Sequence, residues 1–176
     1  SDRVSIEDCH IVGNQAENGA GICVQSCPEA VIISRCVISG NTAQSNGYGG
    51  AGVLISDSSA IISNCTISDN NALYGMTLGQ GGGVDALLGQ SESLSIVNCT
   101  IANNSSTNGG AFWGSGGTQS IRNCTIVDNS TLSANGKGGG VCAYVGNSGS
   151  FTVTDCIFVG NEKGAVYECN NTDVNL

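Results

Sequence analysis

One six-residue phrase occurs six times in this 176-residue chain, at 9–14, 36–41, 65–70, 99–104, 124–129 and 156–161. Each copy begins with a cysteine (Cys9, Cys36, Cys65, Cys99, Cys124, Cys156) and ends with an asparagine (Asn14, Asn41, Asn70, Asn104, Asn129, Asn161). An apolar residue stands two positions after every cysteine: Ile11, Ile38, Ile67, Ile101, Ile126 and Phe158. The cysteines are 27, 29, 34, 25 and 32 residues apart. Such spacing marks a repeat chain, in which one supersecondary unit stacks on the next.

The local pattern selects the kind of repeat. Helical repeats need apolar residues at i, i+3, i+4 and i+7 over ten or more positions, and 27 glycines interrupt every such window. A leucine-rich repeat would need a leucine ladder, which is absent. Short β-runs joined by turns remain. The cysteine and the residue two beyond it share one strand face. A second apolar column lies three residues before the cysteine: Ile6, Ile33, Ile62, Ile96, Ile121 and Val153. The odd spacing breaks the alternation, so a bend is predicted at the residue before the cysteine. That residue is Asp8, Arg35, Asn64, Asn98, Asn123 or Asp155, and Asn and Asp tolerate left-handed backbone. After each asparagine comes a variable loop, then a glycine-rich corner such as 50–53 or 138–141, then another alternating strand.

Stacking these units in parallel, about 4.8 Å apart, gives an all-β parallel β-helix of six coils. Ile, Cys and Val ladders fill its interior, and an Asn ladder bonds along the axis. Right-handedness follows from the chirality of parallel crossovers. The whole of 1–176 reads as one such domain, a possible segment of a longer solenoid. The sequence shows no initiating Met, basic n-region or apolar signal segment and reads as processed or cut from something longer.

Two phrases carry a family resemblance. Phe158-Val159-Gly160-Asn161 and Gly109-Gly110-Ala111-Phe112 resemble the repeats of chlamydial polymorphic membrane protein passenger domains and related adhesins. The resemblance implies a secreted, cell-surface protein concerned with adhesion and self-association. Looser kinship with pectate lyases and polygalacturonases implies, alternatively, a carbohydrate-active enzyme.

Charge and chemistry narrow the choice. The net charge is −9, and the five basic residues (Arg3, Arg35, Arg122, Lys137, Lys163) are scattered, which argues against nucleic acid and anionic membranes. Asp69 and Asp128 share a repeat position with Asn103 between them, about 10 Å apart, and read as a solvated acidic face. No catalytic residue, metal site or cofactor is therefore expected. The six ladder cysteines read as buried hydrophobes. Cys23, Cys27, Cys142 and Cys169 lie outside that register and could form two bridges, Cys23–Cys27 and Cys142–Cys169, in an oxidising compartment.

The outward column of the glycine-preceded strand is Cys23, Leu54, Asp85, Trp113, Cys142 and Tyr167. Trp113, Tyr144, Tyr167 and Leu54 are the candidate contact residues, for protein or for sugar, with Tyr48 and Tyr74 added from loops. Alternatively, long loops such as 71–80 cover this face. Without a capping helix at either end, open strand edges invite another chain. The expectation is a non-catalytic structural or adhesive protein, self-associating end to end into a fibre. An enzyme and a non-catalytic carbohydrate-binding module are the alternatives.

Overall fold

In a computed structural model the chain winds into a parallel β-solenoid with four strands per full coil, and no α-helix occurs among the described residues. The structure describes residues 4–44, 49–72, 79–144, 146, 149–168 and 174–175. The strands form parallel sheets of seven, six, five and six strands, each collecting the equivalent strand of successive coils. In the third coil these are Ala60–Ser63 before the cysteine, Thr66–Ser68 after it, Asn71–Ala72 after the asparagine, and Val84–Leu87 after the glycine corner. The two-residue sheet behind the asparagine is additional to the strands expected from sequence.

Register follows the repeat. Ile6, Ile33, Ile62, Ile96, Ile121 and Val153 pair in one row. Ile11, Ile38, Ile67, Ile101, Ile126 and Phe158 pair in another. Interior members of both rows are buried, and each contributes about 1.5–3 kcal/mol relative to an exposed side chain.

The bend before each cysteine is left-handed backbone, with φ between 52° and 55° at Asp8, Arg35, Asn64, Asn98, Asn123 and Asp155. Arg35 has no short polar side chain to favour that conformation. Its guanidinium instead bonds Asp8 (2.7 and 2.8 Å) and Glu7 (2.7 Å) one coil away. A second left-handed corner precedes each ladder asparagine, at Gly13, Gly40, Asp69, Asn103, Asp128 and Gly160. A third opens the glycine strand, at Gly19, Gly50, Gly81, Gly109 and Gly138. Apart from Arg35 and Lys163, these three corners hold Gly, Asn or Asp, which enter left-handed space cheaply, and that is why the sequence repeats there.

Two polar ladders run down the interior. The backbone N–H and the Nδ2 of each ladder asparagine both donate to Oδ1 of the next: Asn14 to Asn41, Asn41 to Asn70, Asn70 to Asn104, Asn104 to Asn129 and Asn129 to Asn161, at 2.9–3.1 Å. From Asn41 onward each Nδ2 also donates to a carbonyl of the preceding coil, as Asn70 does to Ile38 at 2.9 Å. Satisfied buried amides of this kind stabilise, whereas unpaired ones cost dearly. Beside them the backbone N–H of Cys36, Cys65, Cys99 and Cys124 points to the next cysteine's Sγ at 3.4–3.5 Å. All six ladder cysteines are free thiols.

One coil departs from the aliphatic pattern. Gln119 occupies the interior rung held by Leu94 and Phe151 in its neighbours, and Gly114 faces it where Ala86 and Ala143 stand in the adjacent coils. A Cβ on Gly114 would overlap Gln119 Oε1 and the Phe112 ring. Gln119 Nε2 donates to Gly116 O, and its Oε1 has no partner. Phe112 stacks on Phe151 with centroids 5.7 Å apart.

Candidate functional site

The outer face of the glycine sheet is where the chain concentrates chemistry, and loop length decides how much of it is open. The outward column pairs in the expected order: Cys23, Leu54, Asp85, Trp113, Cys142, Tyr167. Its exposure is not what strand alternation implies. Leu54, Asp85 and Cys142 are buried, Trp113 and Tyr167 are half-buried, and only Cys23 is exposed. Leu54 is therefore corrected from an open contact residue to a covered one.

The loops after Asn41 and Asn70 run 9 and 11 residues to their glycine corners, Gly50 and Gly81, and the described end of the first, Gly49, lies over the column. Gly49 donates its N–H to Asp85 Oδ2 at 3.0 Å, so this backbone lies across the column. Gly50 in turn donates to Gln80 O and Gly81 O, joining the two loop ends. Asp85 is fully enclosed, its Oδ1 has no partner, and burial pushes its carboxyl up to about 7, with only the Gly49 N–H opposing. Such a carboxyl titrates near neutrality, yet it is sealed from solvent and acts as a tie for the loop rather than as an exposed acid.

The first and fourth coils have short loops, five residues from Asn14 to Gly19 and from Asn104 to Gly109. Depressions lie at those two places. The first, about 670 Å³, is lined by Glu17, Asn18, Cys23, Gln25, Leu54, Ser56, Asp57 and Leu87. Burial is the main cause that raises the Cys23 thiol, with Cys27 a lesser one, so Cys23 is a poor nucleophile. Both are free thiols, so the Cys23–Cys27 bridge is not formed, and Cys169, the expected partner of Cys142, lies outside the described residues.

The second depression, about 320 Å³, is lined by Asn108, Trp113, Asn135, Lys137, Cys142 and Tyr144. Trp113 pairs with Cys142 and Ser115 with Tyr144, so the indole and the phenol flank a buried thiol on adjacent coils. Tyr167, beside Cys142 on the next coil, carries the Lys137 ammonium 4.9 Å from its ring centroid. The structure thus brings Trp113, Tyr144 and Tyr167 together around Cys142. Sequence reasoning missed Lys137, Asn108 and Asn135; the five-residue loop before Gly109 was the signal that could have found them. Tyr48 and Tyr74 lie outside the described residues.

His10, Val37, Thr66, Thr100, Thr125 and Ile157 form one outward row on the strand after the cysteine. Among the described residues no group of three or more His, Cys, Asp or Glu is placed to hold a metal. Among the described residues no helix is long and apolar enough to cross a membrane.

The family model described as "Right handed beta helix region" matches residues 1–176. The chain belongs to the right-handed β-helix family. This fixes the hand of the solenoid that the ladders and corners build. Searches of curated proteins and of solved structures return no match.

Proposed function

We propose that this right-handed β-helix is a non-catalytic structural or adhesive protein of the extracellular space or cell surface, and that its coils continue head to tail into those of a second copy. The observation that carries this reading is the direction of the asparagine ladder. Every link donates from the lower-numbered asparagine to Oδ1 of the higher-numbered one. Asn14 Oδ1 therefore lacks a donor and the Asn161 N–H lacks an acceptor among the described residues. One end of the solenoid offers what the other end needs.

The apolar rows support the same reading. Ile6, Cys9 and Ile11 at one end, and Cys156 and Phe158 at the other, are half-exposed, whereas their interior counterparts are buried. A further coil stacked on each end would bury them as it buries Ile38 or Cys65. Val174–Asn175 already adds a short rung beside Phe151–Thr152, while the strand Ile157–Val159 has a neighbour on one side only. The resemblance of the Phe158 phrase to adhesin repeats supports the surface location.

Sedimentation velocity from micromolar to near-millimolar concentration, with negative-stain microscopy, tests the idea. Head-to-tail stacking gives a ladder of oligomers with an axial step of about 29 Å, six coils at about 4.8 Å each. Ile11→Lys, which places a charge on the end rung, should leave monomers. A chain that stays monomeric throughout, with a native circular dichroism spectrum, refutes the reading.

A further inference from the structure

We propose that the depression around Trp113 is a binding site for one pyranose unit of a saccharide. A pyranose ring has an apolar C–H face and an equator of hydroxyls, so it needs an aromatic plane beside a few fixed polar groups. Trp113 supplies the plane, on the outward face of Phe112–Ser115, where the short loop before Gly109 leaves the indole half-exposed. Tyr144 stands across from it on the adjacent strand and is exposed. Buried Cys142 floors the space between them. About 320 Å³ is at the small end for ligand sites and accommodates a single ring.

The polar groups are held before any ligand arrives. Asn108 Oδ1 accepts the Lys137 N–H at 3.1 Å, tying one wall to the other. The segment 133–136 is closed by the Gly136 N–H to Ser133 O at 2.9 Å and the Asn135 N–H to Ser133 Oγ at 3.3 Å. From the next coil the Lys163 ammonium donates to Ser133 O and, at 2.9 Å, to Ala134 O. This bracing fixes the wall that carries Asn135 and Lys137, lowering the ordering cost of binding. Carboxamides donate and accept together, which suits adjacent hydroxyls.

Among the described residues no acidic side chain lines this depression, and both lysines of a chain of net charge −9 are used at it, Lys137 in the lining and Lys163 behind the wall. A ring carboxylate would therefore be drawn to Lys137, whereas a neutral ring would depend on Trp113 and the carboxamides. The site is on the side of the solenoid, so occupancy does not depend on whether the ends stack.

Trp113 is the sole tryptophan, and its fluorescence reports the site directly. The intact chain is titrated with cellotetraose, chitotetraose, galactotetraose and tetragalacturonate, with calorimetry in parallel. The expected result is a saturable change in Trp113 emission with at least one of them, at one site per chain. Trp113→Ala should weaken calorimetric binding roughly tenfold or more, the scale for a truncated aromatic anchor, and Asn135→Ala should weaken it while keeping the fluorophore. Lys137→Ala separates the sources: it weakens tetragalacturonate if the carboxylate is recognised and leaves neutral sugars unchanged. Failure of all four sugars to change Trp113 emission up to tens of millimolar overturns the proposal. So does binding that survives Trp113→Ala in a chain with native circular dichroism.

Discussion

Replacing Asp85 by Asn should make the solenoid more stable in alkaline solution and leave it nearly unchanged in acid. Asp85 is sealed beneath the backbone of Gly49, and burial raises its carboxyl from an ordinary 3.8 to about 7. Between those two values the folded chain keeps a proton that the unfolded chain has lost. Stability is therefore highest below about pH 4, falls as pH rises through 7, and levels off above it. The interval converts to about 4 kcal/mol. Asn carries no charge, so the variant escapes that loss. Its oxygen still accepts the Gly49 N–H, while its NH₂ enters a space where Asp85 Oδ1 has no partner, at a cost of roughly 1–3 kcal/mol. The protonated acid meets a comparable cost, so the two proteins should be close at pH 4. At pH 8–9 the variant should be ahead by about 4 kcal/mol, on the order of ten degrees in Tm for a chain of this size. Urea or thermal unfolding of both proteins from pH 4 to 9 gives a difference curve in which the other acidic residues cancel. A flat difference across that range, or a wild type that gains on the variant as pH rises, would refute the reasoning.

Four further substitutions probe the ladders and corners. Asn70→Ala strips the Asn41 N–H and the Ile38 carbonyl of buried partners and should cost roughly 3–6 kcal/mol in chemical denaturation. Asn14→Ala, at an exposed end of the same ladder, should cost under about 1 kcal/mol. Gln119→Leu matches the neighbouring Leu94 rung, removes an unpartnered buried oxygen and should raise stability by about 1 kcal/mol; a lower unfolding midpoint would count against that account. Gly81→Ala forces a side chain into left-handed backbone against Val84 O and the Asp85 Cα, and should cost roughly 2–4 kcal/mol in the same assay.

The ladders were legible because each rung repeats one residue type at one spacing. The cysteine and asparagine columns, both isoleucine rows and the left-handed bends at Asn64, Asn98 and Asn123 could all be read from that regularity. Even Arg35 could be placed by register, although its bonds to Asp8 and Glu7 could not. The short sheet behind the asparagine escaped notice because Thr42–Ala43 and Ser105–Ser106 are two residues long and carry no alternation. Gln119 gave no sign of lying inside, since a polar residue among Thr118, Ser120 and Arg122 reads as surface. Leu54 and Asp85 were correctly turned outward by alternation, but a strand's period says nothing about a loop lying above it. The lining of the Trp113 depression comes from two adjacent coils, and only their stacking brings Asn108, Lys137 and Tyr144 together.

Because each asparagine meets one above and one below in the same way, the molecule is insensitive to how many coils it has. Removing one complete turn and rejoining its neighbours would leave every remaining rung with a partner of the kind it already had. Removing a single residue from the cysteine phrase would instead set five consecutive positions out of line with both neighbours. Length in this chain is thus quantised: whole turns are interchangeable parts, while fractions of a turn are tolerated only in the loops that decide which outward side chains meet solvent.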